Sequence, residues 1–215
     1  MKLFLEVCTT LGEGFVTSFF LFALTLVFAL PFGLLMSFCS MSKHAYIRIP
    51  MNLIVWVLRG TPLMLQIIIV YYGPALMFDV PLMPRMIAVL VAFALNYACY
   101  FSEIYRAGIE SISVGQYEAG QVLGMTKMQV FFRVVFMQVI KRIVPPMSNE
   151  IITLVKDTSL ARVIVVAEIL KYAEDYTAYG LIWPLFYTGV FYLLFVGVLT
   201  LVFGAVEKKL SYYKV

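Results

Sequence analysis

Long runs of apolar residues alternate with short polar segments along the whole chain. A helical membrane span needs about 20 apolar residues at a rise of about 1.5 Å per residue, and five of the runs are long enough. We predict that they lie at about 15–38, 53–72, 86–109, 143–170 and 183–206. The pattern therefore predicts an all-α, polytopic membrane protein with about five transmembrane helices.

Two of the five runs contain polar or helix-breaking residues. The second run is interrupted by Arg59-Gly60-Thr61-Pro62, where the proline removes a backbone donor and frees backbone carbonyls. The fourth run would be about 42 Å long as one helix and has Lys156-Asp157-Thr158-Ser159 at its centre. A lipid-facing helix does not tolerate such a cluster, so we predict a break there, lining a watery or protein-enclosed cavity.

The segments between and within the other runs give further local predictions. We expect a proline-rich and aromatic connector at 71–84 and a polar, turn-like segment at 171–180. The last run has Gly189, Gly197 and Gly204 near one helix face, a spacing that favours close packing against another helix. The sequence leaves open whether that helix belongs to the same subunit.

Composition agrees with a membrane protein and leaves almost nothing for a soluble domain. Hydrophobic residues make up 63% of the chain and charged residues 13%, and the mean hydropathy is +0.95. We therefore predict a single transmembrane domain over 1–215. The first run lacks a small-residue cleavage pattern, so we interpret it as a retained span and not as a signal peptide.

The longest segment without the apolar character of a span, at about 115–142, is basic. Its charged residues include four bases and one acid: Lys127, Arg133, Lys141, Arg142 and Glu118. If it faces the cytoplasm, ten of the sixteen Lys and Arg residues lie on that side, three on the other and three within spans. The ten are Lys43, Arg48, Arg106, Lys127, Arg133, Lys141, Arg142, Lys208, Lys209 and Lys214. The positive-inside rule then places the N-terminus outside the cell membrane and the C-terminus in the cytoplasm.

The sequence has no catalytic or metal-binding constellation. It has one histidine, no nucleophile–base set, no zinc spacing and no Gly-x4-Gly-Lys-Ser/Thr phosphate loop. The three cysteines are scattered, which predicts neither a disulfide framework nor a metal site. We therefore predict a protein that is not an enzyme and holds no cofactor. If ATP is used, it is hydrolysed, with its magnesium, on another chain.

Polar residues at helical spacing lie inside two predicted spans: Asn96, Tyr100 and Glu103 on the third, and Arg59 and Gln66 on the second. A carboxylate in a span costs about 2.5–3.5 kcal/mol unless it is paired or wet, so these faces should look into the protein. Ser159 and Glu168 add polar groups from the fourth run. Two interpretations remain: a polar ligand site near the membrane midplane, or an internal charge network, for example Arg59 with Glu103, that only holds the helices together.

A short motif lies in the basic segment. Glu118-Ala119-Gly120 is followed four residues later by Gly124. This resembles the Glu-Ala-Ala cytoplasmic loop of ABC importer permeases, with Gly120 in place of the second alanine and with Phe136 and Met137 in place of a later Leu-Pro pair.

Other motifs share the order and spacing of the same family, over about residues 10–210. They are Arg59-Gly60-Thr61-Pro62-Leu63 with Gln66, Ala94-Leu95-Asn96 with Glu103 and Arg106, Pro146 with Asn149-Glu150, and Lys156-Asp157-Thr158-Ser159-Leu160-Ala161 with Glu168. Together they resemble the polar amino acid uptake branch, the histidine/glutamine-type permeases.

The resemblance implies a type I ABC importer-like permease with five spans per subunit and an external N-terminus. It implies four kinds of partner besides the membrane lipid, and no nucleic acid. They are a separate ATPase subunit, a second permease subunit in a homo- or heterodimer, an extracytoplasmic binding protein and an amino acid substrate. The mechanism implied is alternating access driven by the ATPase.

The resemblance also suggests roles for individual residues. Glu118, Ala119, Gly120 and Gly124 would belong to the coupling helix that docks on the ATPase. The candidate substrate-binding residues are Thr61, Pro62, Leu63, Gln66, Asn96, Tyr100, Glu103 and Ser159. Among these, Glu103 would neutralise the substrate ammonium, and the backbone at 61–63 would hold its carboxylate.

Two other classes of protein stay open as alternatives. An ion-coupled secondary amino acid transporter would use the intramembrane acids as proton or sodium sites, and it predicts inverted internal repeats. A non-transporting membrane scaffold predicts that neutral substitutions at Glu103 and Gln66 are tolerated.

Overall fold

The structure, a computed structural model, describes residues 2–211. Within this range the chain is almost entirely helical and contains no strand, which confirms the all-α prediction. The helices are α1 (Lys2–Ser40), α2 (Ala45–Gly60), α3 (Leu63–Phe78), α4 (Arg85–Glu110), α5 (Val114–Val122), α6 (Lys127–Val130), α7 (Phe136–Asp157), α8 (Ile169–Thr177) and α9 (Trp183–Leu210). A π-helical turn, Phe131–Val135, joins α6 to α7, and a 3₁₀ helix, Thr158–Ile164, follows α7.

The helices form five units in the order of the five predicted runs. By length and composition, α1, α4 and α9 could each cross a membrane, and α2 and α3 qualify together as one bent pair. The fourth unit in chain order, α7, is about 33 Å long but contains several charged residues. The polytopic architecture is therefore confirmed, with a charged α7 as its least apolar member.

Both predicted breaks are present. After α2 ends at Gly60, Thr61 and Pro62 have extended backbones, and α3 leaves at 108° to α2. The other break follows Asp157, where the hydroxyl of Thr158 donates to the Val155 carbonyl at 2.7 Å. Such local side-chain bonds compete with the α-helical pattern, and the chain continues as a 3₁₀ helix.

Several predicted boundaries are wrong because helices extend further than hydropathy indicates. The helix α1 begins at Lys2, well before the predicted span, and α7 begins at Phe136, inside the predicted loop. The connector predicted at 71–84 is helical as far as Phe78, and α3 passes through Pro74 without ending. Membrane helices tolerate proline where neighbouring groups satisfy the freed backbone.

The segment predicted as turn-like at 171–180 is mostly the helix α8. The side chain of Glu168 begins it by accepting the backbone N–H groups of Leu170 and Lys171 at 2.8 and 2.7 Å. This is N-terminal capping by a carboxylate, which also suits the helix dipole. Glu168 is fully buried and has a structural role here.

The core lies where α1 packs along α4. Small residues allow the two backbones to approach closely: a Cβ on Gly33 would lie 2.9 Å from the Ala98 carbonyl oxygen, and Ala29 is fully buried. Phe93 and Phe101 fill the same interface. One face of α4 is thereby fixed against α1, which leaves the face with Asn96 and Tyr100 toward the break between α2 and α3.

The last helix, α9, packs loosely within this chain. A Cβ built on Gly189, Gly197 or Gly204 would meet nothing within 4 Å in the described part of the chain. Within the described residues, these glycines therefore do not make the close packing against another helix that the sequence predicted. Lys214, which entered the charge count, lies outside the described residues.

Candidate functional site

Two adjoining cavities open beside the broken helices. The central cavity, of about 570 Å³, is lined by the α2–α3 break, α4 and α7. The adjoining cavity, of about 460 Å³, extends along α4 and α7 toward Ser111 and Arg142. They share Arg59, Tyr100 and Glu150. The shared residues make one continuous polar region out of the two cavities.

The α2–α3 break is held by the side-chain amide of Gln66. Its Nε2 lies 2.7 Å from the Leu58 carbonyl and 2.8 Å from the Thr61 hydroxyl, and its Oε1 accepts the amide N–H of Asn96 at 3.0 Å. The same Nε2 also donates to the Thr61 carbonyl at 3.2 Å. The carbonyls that were expected to receive a ligand are thus already satisfied by a buried side chain, and Gln66 lines neither cavity.

A chain of ion pairs runs along α4. The guanidinium of Arg106 donates to both carboxylate oxygens of Glu103, at 2.7 and 3.0 Å, and to the Glu110 carboxylate at 2.9 Å. Arg59 pairs with Glu103 at 3.4 Å, and its guanidinium lies 5.2 Å from the centre of the Tyr100 ring. The internal charge network is therefore present, and the Glu103 carboxylate is largely occupied by two arginines.

The helix α7 presents a polar stripe whose residues were not predicted to belong to the site. Glu150, Thr153 and Asp157 line the central cavity at separations of three and four residues, on one helix face. The hydroxyl of Tyr97, which is 2% exposed, donates to Asp157 at 2.7 Å. The same spacing rule applied to α7 would have found this stripe, but Asp157 was used only to predict the break.

The predicted substrate-binding residues fall into three groups. Those that line the central cavity are Thr61, Pro62, Leu63, Asn96 and Tyr100. Glu103 lines only the adjoining cavity, and Gln66 lies behind the break. Ser159 lines neither, because its hydroxyl bonds back to the Lys156 carbonyl at 2.8 Å within the 3₁₀ turn.

The predicted coupling residues lie on a short helical hairpin made of α5 and α6. Glu118 and Ala119 are exposed on α5, whereas Gly120 is buried against Val130 of α6. Gly124 has φ +71°, a conformation that favours glycine, and it turns the chain between the two helices.

Large apolar side chains are exposed on the same hairpin. They are Val114, Val122, Leu123 and Met128. On α5, Val114, Glu118 and Val122 follow one another at four-residue intervals and so share a face. An exposed apolar patch around a charge, on a segment without membrane-spanning character, is typical of a surface that binds another protein.

These features define a polytopic α-helical membrane protein with a charged cavity beside broken helices. A family model described as "Binding-protein-dependent transport system inner membrane component" matches residues 29–212, and the chain belongs to this family.

Named relatives match the chain over most of its length. It is 39% identical to the L-cystine transport system permease protein TcyB of Bacillus subtilis (strain 168), over 88% of this chain and 82% of that protein. It is 34% identical to the arginine transport system permease protein ArtQ of the same strain, over 93% and 91%.

Solved structures show the same fold. A chain described as an amino acid ABC transporter crystallised with histidines superposes with a TM-score of 0.87 at 27% identity, over 96% of both chains. A chain of the MetNI methionine ABC transporter, in an inward-facing conformation, has a TM-score of 0.71 at 15% identity over 98% of both chains, a likeness of fold alone.

Proposed function

We propose that this chain is the transmembrane permease subunit of an ATP-driven importer of polar amino acids. The single observation behind the proposal is the charged cavity at the broken helices of a member of this transport family. The relatives named for amino acid transport support the substrate class. A zwitterion needs a cation and an anion close together, and the shared wall of the two cavities provides both.

Arg59 and Glu150 bind the substrate head group in this proposal. Both line the two cavities, so a bound amino acid contacts them together. The guanidinium of Arg59 receives the α-carboxylate and Glu150 the α-ammonium. Asn96 and Tyr100 line the same space and add hydrogen bonds.

Glu103 has an indirect role in this scheme. Because Arg106 already occupies both of its oxygens, Glu103 holds the Arg59 guanidinium in place and does not receive the substrate ammonium. This combines the two interpretations left open by the sequence: the charge network supports the ligand site.

The α5–α6 hairpin docks on a separate ATPase subunit, with Glu118 and the surrounding apolar side chains at the contact. Closure of the ATPases on ATP is transmitted through the hairpin, and the spans reopen outward to receive an amino acid from an extracytoplasmic binding protein. The breaks after Gly60 and Asp157 border the central cavity and serve as hinges. In this arrangement the N-terminus is outside and the C-terminus is cytoplasmic.

Co-purification of a soluble ATPase with this chain tests the proposal. We expect the unaltered protein to retain a stoichiometric ATPase in mild detergent, and Glu118→Arg to lose it with the permease intact, because the exposed acid meets basic groups on the partner. Gly124→Asp, which alters the turn, should also lose it. Glu13→Arg on α1 is the control for a surface charge reversal away from the hairpin.

The retained complex should hydrolyse ATP faster when an amino acid and its binding protein are added. If no ATPase accompanies even the unaltered chain after mild crosslinking, the importer proposal fails, and ion coupling through the intramembrane acids becomes the alternative to pursue.

A further inference from the structure

The α5–α6 hairpin is joined to the cavity walls by two different connections. On one side, α6 continues through the π-helical turn into α7 without a break in the helical backbone. On the other side, α4 ends at Glu110, and residues 111–113 lead to α5 without forming a helix. A displacement of the hairpin therefore passes to α7 along a continuous helix, whereas its backbone connection to α4 is short and irregular.

The cytoplasmic ends of α4 and α7 lie against each other beside this irregular connection. Gly108 of α4 is buried, and a Cβ at this position would overlap a methyl group of Ile143 on α7. The surrounding contacts are apolar and involve side chains such as Ile109 and Val139. Because apolar contacts have no fixed direction, they hold the two helices together without preventing one from sliding along the other.

Arg142 makes a directional contact between the same two helix ends. Its Nη1 donates to the backbone carbonyl of Ser111, the residue that ends α4. The last carbonyls of a helix have no partner within the helix, and a cation at this end also suits the helix dipole. A charged hydrogen bond to one particular carbonyl fixes the register of α7 against α4.

This contact lies between the hairpin and the residues proposed to bind the substrate. Arg142 and Ser111 line the adjoining cavity. Further along the same cavity, the walls are formed by Tyr100 and Glu103 of α4 and by Glu150 of α7. The Arg142–Ser111 contact therefore joins the two walls at the end where the hairpin begins.

We propose that Arg142 is a positioning residue for transport, which makes α4 move together with α7 when the ATPase displaces the hairpin. The proposal rests on the proposed function, because the ATPase supplies the displacement. The continuous helix moves α7, and the Arg142–Ser111 contact passes the same movement to α4. Both walls of the cavity then respond to ATP together.

Cysteine labelling on the two walls tests this role in the complex of the permease with its partner subunits and ATPase, in lipid nanodiscs. In a background without the native cysteines, Ala107→Cys reports on α4 and Thr153→Cys on α7, because each residue lines one of the cavities. The rates of labelling by N-ethylmaleimide are compared without nucleotide and with ATP and vanadate. With Arg142 present, we expect nucleotide to change the labelling rate at both sites.

Arg142→Gln removes the cation and should separate the two responses. Thr153→Cys should keep its nucleotide response, whereas Ala107→Cys should lose most of it, with the ATPase still retained. Arg142→Lys keeps the cation without the planar fork, so its response at Ala107→Cys should lie between those of arginine and glutamine. A general loss of stability would weaken both responses, so a loss at α4 alone is specific to the positioning role.

The control is Arg48→Gln, which removes an exposed arginine of α2 on the predicted cytoplasmic side. It changes the net charge as Arg142→Gln does and lies outside the contact between α4 and α7. Both labelling responses should stay unchanged in this variant.

The outcomes distinguish this inference from the proposed function. Unchanged responses at both sites in Arg142→Gln overturn the inference, and so does an equal loss at both, which would assign Arg142 to docking or folding. Should Arg142→Gln fail to assemble, Arg142→Lys decides: a response reduced at Ala107→Cys alone supports the inference, and an unreduced one overturns it. If neither site responds with Arg142 present, although the ATPase is retained and traps nucleotide, the proposed function fails as well.

Discussion

At the scale of single residues, Glu103 is the group whose contacts differ most from those expected of a substrate-binding residue. The family resemblance suggested that it meets the substrate ammonium, but both its oxygens accept from Arg106, and it also pairs with Arg59. Helical spacing shows that a carboxylate faces inward. It does not show which of several inward-facing arginines is within reach, because that depends on how α2 crosses α4.

Glu103→Gln should therefore act through Arg59. We expect it to weaken amino acid binding by about tenfold, because Arg59 loses a charged partner that orients it. On an Arg59→Gln background the same substitution should add little, which a double-mutant cycle on the dissociation constants measures. Glu110→Gln, at the exposed end of the network, is the matched control and should change binding by no more than about twofold. Additive effects of Glu103→Gln and Arg59→Gln would contradict the indirect role.

The side chain of Gln66 is expected to stabilise the fold more than it binds ligand. Gln66→Ala removes the shorter hydrogen bonds to the half-buried Leu58 carbonyl and the buried Asn96 amide, and leaves these two groups only their 3.3 Å contact with each other, where a buried group left unsatisfied costs about 1–3 kcal/mol. Thermal unfolding in detergent should show a lower Tm for Gln66→Ala than for Gln121→Ala, which removes an exposed glutamine on α5. An unchanged Tm combined with lost amino acid binding would restore the direct ligand role.

At the scale of elements, the α5–α6 hairpin explains the departure from the Glu-Ala-Ala pattern. A Cβ on Gly120 would lie 2.4 Å from a methyl group of Val130, which is itself buried. The two helices pack so closely at this point that alanine does not fit opposite valine. The glycine and the valine therefore act as a pair, which single-residue matching to a motif does not detect.

Gly120→Ala should loosen the hairpin and reduce retention of the ATPase, since overpacking costs about 1–3 kcal/mol. Val130→Ala in the same chain removes the clashing methyl groups, so the double variant should recover much of the lost retention. Faster amide hydrogen exchange in α5 and α6 of Gly120→Ala, reversed in the double variant, is the structural readout. If the double variant is worse than both single variants, Gly120 is constrained by something other than Val130.

The elements also show how far a single sequence predicts this fold. The breaks at 59–62 and 156–159 were predicted correctly, because charges and a proline inside an apolar run are incompatible with an unbroken helix that faces lipid. The early start of α1, the passage of α3 through Pro74 and the capping of α8 by Glu168 were missed, since each depends on partners far away in sequence or on local hydrogen bonds that hydropathy does not register.

At the scale of the whole molecule, the cavities and the hairpin lie along one helical unit. The hairpin leads through the π-helical turn into α7, and α7 presents Glu150 and Asp157 to the central cavity before it breaks. The buried residues Val130 and Val135 are five apart, as a π turn allows, which keeps both on the side packed against α4. In the proposed importer, a displacement of the hairpin by the ATPase would have a direct helical route to the cavity wall.

The orientation of this route across the membrane is the last prediction, and it follows from the charge distribution. The hairpin, the basic start of α7 and the adjoining end of α4 should face the cytoplasm, and the turn between α8 and α9 should face outward. Leu123 on the hairpin and Tyr179 in that turn are almost equally exposed, at 78% and 79%, so cysteines at these sites have matched intrinsic access to solvent. In a background without the native cysteines, a membrane-impermeant maleimide should label Tyr179→Cys in intact cells, and Leu123→Cys only after permeabilisation. The opposite pattern would place the hairpin outside, where no ATP-driven partner has access to ATP, and it would refute the importer mechanism together with the orientation.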